Sequence, residues 1–309
     1  MIIILFFLLF ALILIFPDMS LSYAANGLLL WFNCMVPALF PFMILSGILV
    51  RQNLTEAFSS FFYPIIGPLY KISKNGVYCM LLGFLCGFPM GARVIADLYE
   101  RNKISKKEAS YLLAFCNNIG PVYFITFLLP VIGLTSIKRL PLYLFGMYGI
   151  PLLYGIFLRN CGFLLPKQTV CKCEYIMDMP NTEDFAVSLD GAMQSAIHGI
   201  TTLGGYMILF NLFNIVPQAI LKILPLSYSD YLLPVINCIL EITGGVKNLG
   251  IALPYFVLTL LPFGGLSCIA QTKSMVQNTD LSIFHYTIHK LIQTAVTGLY
   301  YFLLCLFFL

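Results

Sequence analysis

Apolar residues run along this chain in long blocks, broken by short polar connectors. Blocks at 1–16, 37–50, 76–92, 108–133, 139–159, 201–216, 231–245, 250–266 and 287–309 are candidate membrane segments. A helix needs roughly 20 apolar residues to cross a hydrocarbon core of about 30 Å. Several blocks are shorter or cut by Gly and Pro. These predict half-helices or re-entrant hairpins, because irregular backbone in a bilayer must be covered by protein or line a cavity.

The pattern is most broken between Leu82 and Pro121. One apolar run ends in Gly87-Phe88-Pro89-Met90-Gly91, a basic connector follows, and a second run carries Asn117-Asn118 and Gly120-Pro121 at membrane depth. A fainter copy starts at Phe263, with Gly265, Leu266, Ser267, Ala270 and Gln271 where the first copy has Gly87, Phe88, Pro89, Ala92 and Arg93. Gly87, Pro89, Gly91, Gly264 and Gly265 are therefore expected at buried hairpin tips, where glycine allows tight turns and close backbone packing. Pro41-Phe42-Met43-Ile44-Leu45 and Gly205-Tyr206-Met207-Ile208-Leu209 precede the two copies in the same order, which points to duplication.

In chain order, residues 1–22 predict a retained N-terminal transmembrane helix and not a cleaved signal, since no basic segment precedes the apolar run. The stretch from Tyr23 to Trp31 predicts an interfacial helix, with Pro37 and Pro41 bending the chain after it. Ser105-Lys106-Lys107-Glu108 has the form of a capping box and predicts a helix starting at Lys106. A first repeat spans 23–160, a hydrophilic linker 161–185 and a second repeat 186–309. Opposed halves would put the connector at 101–107, rich in Arg101, Lys103, Lys106 and Lys107, in the cytoplasm and the one at 272–280 outside.

Composition agrees with this pattern. With 60% hydrophobic and 10% charged residues and a mean hydropathy of +0.92, the chain is a polytopic protein of the cell membrane and not a water-soluble globule. A formal charge of +4, spread over connectors, gives no nucleic-acid footprint. The ten cysteines form no disulfide framework, and Cys171-Lys172-Cys173 lacks the further ligands of a metal site, so no cofactor or metal is expected. His285 and His289 share a helix face near a boundary without a third ligand and read as interfacial.

The candidate chemistry is confined to a few polar residues at depth. Glu241 lies in an apolar run just before Gly244-Gly245; an idle carboxylate there costs a few kcal/mol, so it normally faces a cavity or partner. Asn117, Asn118, Glu241, Thr243, Ser267 and Gln271 are the expected solute- or ion-binding residues, with helix–helix hydrogen bonding as the alternative for the two asparagines. Arg93 either meets an anionic solute beneath a hairpin tip or snorkels to the interface. No P-loop, Ser/His/Asp set or HExxH is present, so no enzyme is expected.

Several strings bring a family into view: Phe16-Pro17, Gly27 to Trp31, Phe40-Pro41-Phe42, Gly87 to Arg93, Asn117 with Gly120-Pro121, Glu241 to Gly244, and Gly264-Gly265-Leu266-Ser267 with Ala270-Gln271. In this order they resemble the YlbJ-type sporulation integral membrane proteins of endospore-forming bacteria, which carry the nucleoside-recognition Gate domain. Cys116-Asn117-Asn118 stands where that family usually has a Thr-rich run. The resemblance implies an all-α polytopic fold of two inverted repeats, with broken helices and re-entrant hairpins, similar to the core of concentrative nucleoside transporters. It leaves two functions open. One is a secondary transporter of a small polar solute, coupled to a cation or proton; the other is a non-transporting scaffold or receptor of the sporulation apparatus. Either would sit in the lipid bilayer, and either leaves room for a homo-oligomer.

Overall fold

A computed structural model describes residues 2–161, 184–223, 229–249 and 251–308, and every regular element among them is a helix. The expected linker lies almost wholly outside the described residues, as do Cys171 and Cys173. Among the described residues, six helical stretches are long and apolar enough to cross a membrane: Pro17–Arg51, Lys106–Val131, Ile137–Asn160, Phe185–Leu221, Pro254–Met275 and Ile283–Phe307.

The first helix, α1 (Ile2–Ile15), stops at Phe16, and α2 (Pro17–Leu30) continues through a wide π-turn, Trp31–Met35, into α3 (Val36–Arg51). The segment expected to lie flat before Trp31 is instead half of a through-running helix. Pro37 explains the wide turn. Proline has no N–H and its ring presses on the carbonyl four residues back, and the extra residue of a π-turn relieves both. The same device recurs where Phe124–Leu128 precedes Pro130 and Phe145–Gly149 precedes Pro151.

After two short helices, α4 (Thr55–Ser60) and α5 (Tyr63–Tyr70), the chain makes a hairpin of α6 (Lys74–Leu85) and α7 (Met90–Glu100). Ser73 caps α6 by accepting the Gly76 N–H at 3.0 Å. The hairpin is followed by α8 (Lys106–Cys116), whose Ser105 cap accepts the Glu108 N–H at 3.2 Å. The Glu108 carboxylate does not close the box; it accepts the Ser73 N–H at 2.7 Å and ties the start of α8 to the start of α6. An interruption at 117–120 separates α8 from α9 (Pro121–Tyr123) and α10 (Leu129–Val131), which complete the crossing. A full span of α11 (Leu140–Leu144) and α12 (Ile150–Asn160) follows.

The second half opens with α13 (Phe185–Leu212), antiparallel to α2–α3. Trp31 Nε1 donates to the Ile200 carbonyl at 2.8 Å, and a Cβ on Gly204 would lie 2.6 Å from the same indole. After α14 (Ile215–Ile223), α15 (Ser229–Leu240) and α16 (Ile242–Leu249) fold back on one another with Glu241 at the turn. Then α17 (Pro254–Leu260) and α18 (Gly265–Met275) form one interrupted span, and α19 (Ile283–Phe308) closes the chain.

This order relocates one expected feature. Gly264 and Gly265 do not sit at a hairpin tip: α17 and α18 do not pack on each other, and the two glycines, at φ 71° and 82°, occupy the interruption within the through-running 254–275 span. The turn of the second hairpin is at Glu241. The interruption at 261–264 therefore parallels Asn117–Gly120, and not the turn at Gly87.

The expected opposition of connectors 101–107 and 272–280 is overturned with it. Lys106 Nζ lies 2.6 Å from Asp280 Oδ2, and the Tyr99 hydroxyl donates to Asp280 Oδ1 at 2.8 Å, so both connectors occupy one end of the molecule. Those two hydrogen bonds hold the exposed Asp280 carboxyl below the ordinary carboxylate range. In a background lacking native thiols, cysteines at Asn102 and Asn278 are expected to react with an impermeant maleimide from the same side. Labelling from opposite sides would contradict this arrangement.

Candidate functional site at the helix interruptions

Two hairpin turns and two interrupted spans converge at the centre of the fold. Gly83 and Gly87 let the first hairpin close on the 117–120 interruption backbone to backbone. A Cβ on Gly87 would lie 2.9 Å from the Gly120 Cα, and one on Gly83 would collide with the Cys116 carbonyl. Gly265 makes the matching approach in the second half, where a Cβ would meet the Cys238 carbonyl at 3.1 Å. Between these elements is a cavity of about 60 Å³, bordered by Gly87, Phe88, Tyr123, Glu241, Thr243 and Gln271. At the space one buried water needs, it holds a few waters.

The expected site residues divide into those on the cavity and those behind it. Glu241, Thr243 and Gln271 border it; Asn117, Asn118 and Ser267 do not. Glu241 is 1% exposed and acts as the cap of α16. Oε1 accepts the Thr243 N–H at 3.1 Å, and Oε2 accepts the Gly244 N–H at 2.7 Å and Asn211 Nδ2 at 3.1 Å. A carboxylate against free N–H groups at a helix N-terminus is favourably placed. Gln271 Nε2 donates to Ser267 Oγ at 2.9 Å.

The asparagines join the interrupted span to its neighbours. Asn117 Oδ1 accepts the Ala92 N–H in the first turn of α7 at 3.3 Å, while Nδ2 faces Thr272 Oγ1 at 3.0 Å and the Tyr286 hydroxyl at 3.1 Å. Asn118 Nδ2 donates to the Phe115 carbonyl at 2.7 Å, and Oδ1 accepts from Lys290 Nζ at 2.8 Å. Lys290 is 0% exposed. Its other contacts are Gln293 Oε1 at 3.3 Å and the rings of Phe88 and Tyr286 at 5.2 and 5.8 Å. Among the described residues no carboxylate pairs with it. A lysine at membrane depth with only neutral oxygens and π-faces around it is costly in its charged form, and intramembrane ionisable residues of this kind commonly mark functional pathways.

Comparison with known proteins bears on what this arrangement belongs to. The chain is 24% identical, over a 321-residue alignment covering 93% of it and 78% of the relative, to the sporulation integral membrane protein YlbJ of Bacillus subtilis (strain 168). The chain is thus similar to a YlbJ-type protein along nearly its whole length. With its six apolar helices it is a multi-pass membrane protein. No protein-family profile matches this chain, and no solved structure matches it.

Lys290 was not legible as a site residue in the sequence, because it follows His289 near the expected membrane boundary. The available signal was a stripe: Tyr286, Lys290, Gln293, Thr297 and Tyr301 recur at helical spacing in an otherwise apolar helix, and all five are buried. The neighbouring histidines are peripheral. His285 is exposed, and His289 Nδ1 lies 2.7 Å from the Tyr154 hydroxyl.

Glu241→Gln tests the capping role. An amide presents one acceptor where the carboxylate presents two, so its NH₂ would face either the Thr243 N–H or, turned over, the Gly244 N–H and the Asn211 amide. A loss of about 1–3 kcal/mol is expected, the cost of a buried donor left unpaired, read as a lower melting temperature of the purified variant. An unchanged melting temperature would remove the cap from the account.

Proposed function

We propose that this is a sporulation-associated integral membrane protein whose core works as a permease for a small polar solute, coupled to a cation or proton, and not as an enzyme. The observation that carries this reading is that three helix interruptions, at Gly87-Phe88, Ile119-Gly120 and Glu241, border one cavity, with Cys268 and Gln271 of the second interrupted span on its wall. Broken helices at membrane depth typically build the midplane sites of secondary transporters, with freed backbone groups and helix ends offering charge.

The finer reading is that the halves are inverted repeats, like the concentrative nucleoside transporter core and the Gate domain. Three elements recur in order: a hairpin (α6–α7; α15–α16), an interrupted span (α8–α10; α17–α18) and a full span (α11–α12; α19). The packing of α2–α3 on α13 supports it. The offset that carries Met43 onto Met207 also carries Gly47 onto Asn211, and it brings Ala192 within one residue of Gly27 when reversed. Gly47 touches Ala192, and Gly27 touches Asn211.

The test is uptake by purified protein in vesicles, screened over labelled nucleosides, amino acids, dicarboxylates and metal cations. Accumulation of one of them above protein-free vesicles is expected. A second reading, a scaffold or receptor of the sporulation apparatus, is favoured by one observation: Asn117, Asn118 and Glu241 already spend their polar groups on protein partners. Absence of both uptake and ligand-induced stabilisation across the panel would leave that reading standing.

A further inference from the structure

Away from the central cavity, a second hollow of about 80 Å³ opens between α3, α7 and α13, toward the end that carries the basic connector. Its polar lining is Ser46, Arg51, Arg93, Asp97, Arg101 and Ser195. Three guanidiniums thus face one carboxylate. Asp97 compensates Arg93 loosely, with Oδ2 at 3.8 Å from Nε. The other nearby carboxylates, Glu100 and Asp190, are exposed and outside the lining.

The arginines are seated, not trailing. Arg51 Nη2 donates to the Gly191 carbonyl at 3.1 Å and to Ser195 Oγ at 3.3 Å, and Arg93 Nη2 donates to the Ser195 carbonyl at 2.9 Å. Beneath each guanidinium α13 has a glycine. A Cβ on Gly191 would lie 2.7 Å from Arg51 Cζ, and one on Gly199 would overlap Arg93 Nη1. Anchoring α13 uses Nη2 of each group; Arg93 Nε faces Asp97, and both guanidiniums border the hollow. A purely structural clamp needs neither Arg101 nor the space.

We propose that this hollow is a binding site for a phosphate-bearing anion. Two excess positive charges, rigid forks suited to bidentate oxyanion contacts, and serine hydroxyls at the wall supply the recognition. Basic pockets between transmembrane helices near the cytoplasmic face are suited to anionic lipid headgroups, and a soluble phosphate presents the same chemistry. The inference does not depend on solute transport.

Arg101→Gln is the decisive variant, since the Arg101 side chain is exposed and makes none of the contacts that hold α13. Its melting temperature without ligand should equal that of the unsubstituted protein. Arg51→Gln serves as a second variant, compared with its own ligand-free state. Two probes separate the sources: nanodiscs of phosphatidylcholine with or without phosphatidylglycerol, and inorganic phosphate titrated against chloride at equal ionic strength. Stabilisation by phosphatidylglycerol, about tenfold weaker in Arg101→Gln from the loss of one charge-assisted contact, identifies a lipid site. The same pattern with inorganic phosphate identifies a soluble anion. If neither probe separates the unsubstituted protein from Arg101→Gln, the site does not exist.

Discussion

Alanine at Gly87 is expected to prevent the protein from assembling. Gly87 has φ 91°, where an L-residue pays about 1–3 kcal/mol of strain. Its Cβ would also fall against the Gly120 backbone, 2.9 Å from Cα and closer still to N. Backbone cannot rotate away as a side chain can, so the hairpin would have to lift off the interrupted span. Together these should exceed about 4 kcal/mol, the range in which core disruption is diagnostic. Gly205→Ala is the control. Nothing lies within 4 Å of its added Cβ, and in the interior of α13 it should gain about 0.5–1 kcal/mol. Monodispersity and melting temperature of the two variants give the answer, and similar behaviour of both would refute the packing argument.

Lys290→Met should separate function from stability. The thioether keeps the length and removes the charge. Removing an uncompensated buried ammonium relieves several kcal/mol of desolvation, while the orphaned oxygens of Asn118 and Gln293 cost about 1–3 kcal/mol each. These nearly cancel, so the melting temperature should move by only a few degrees while uptake, under the permease reading, is lost. Lys290→Glu would place a carboxylate against both oxygens and should fail to fold. Full uptake by the Met variant would reduce Lys290 to a packing residue.

Much of the frame was legible because burial in a bilayer writes itself as long apolar runs and because breakers act locally. Ser105 caps α8 where its motif says, and the interruption at Asn117–Gly120 follows from Gly-Pro. The pairing of the halves was not legible from local likeness. Gly264-Gly265 resembles Gly87-Phe88-Pro89 in composition, yet the fold sets it against Asn117–Gly120, because whether a glycine turn reverses a helix or only interrupts it depends on what packs beside it. Glu241 was found by its depth, but its use as a cap depends on Asn211, thirty residues away in sequence and on another helix. Lys290 was hidden for a similar reason: a lysine near an expected boundary reads as solvated until the helices around it are placed.

The three wide turns have a consequence for how this chain tolerates change in length. Each holds one residue more than a regular turn, so each works as a one-residue insertion matched to the proline that follows it. Pro130→Ala alone should leave the wide turn in place, because everything beyond it is already in register. Deleting one residue of Phe124–Leu128 would swing the rest of the helix by roughly 100° and turn its buried face outward. The proline can therefore be replaced while the extra residue stays, but the extra residue cannot be removed, with or without its proline, unless the rest of the helix turns with it.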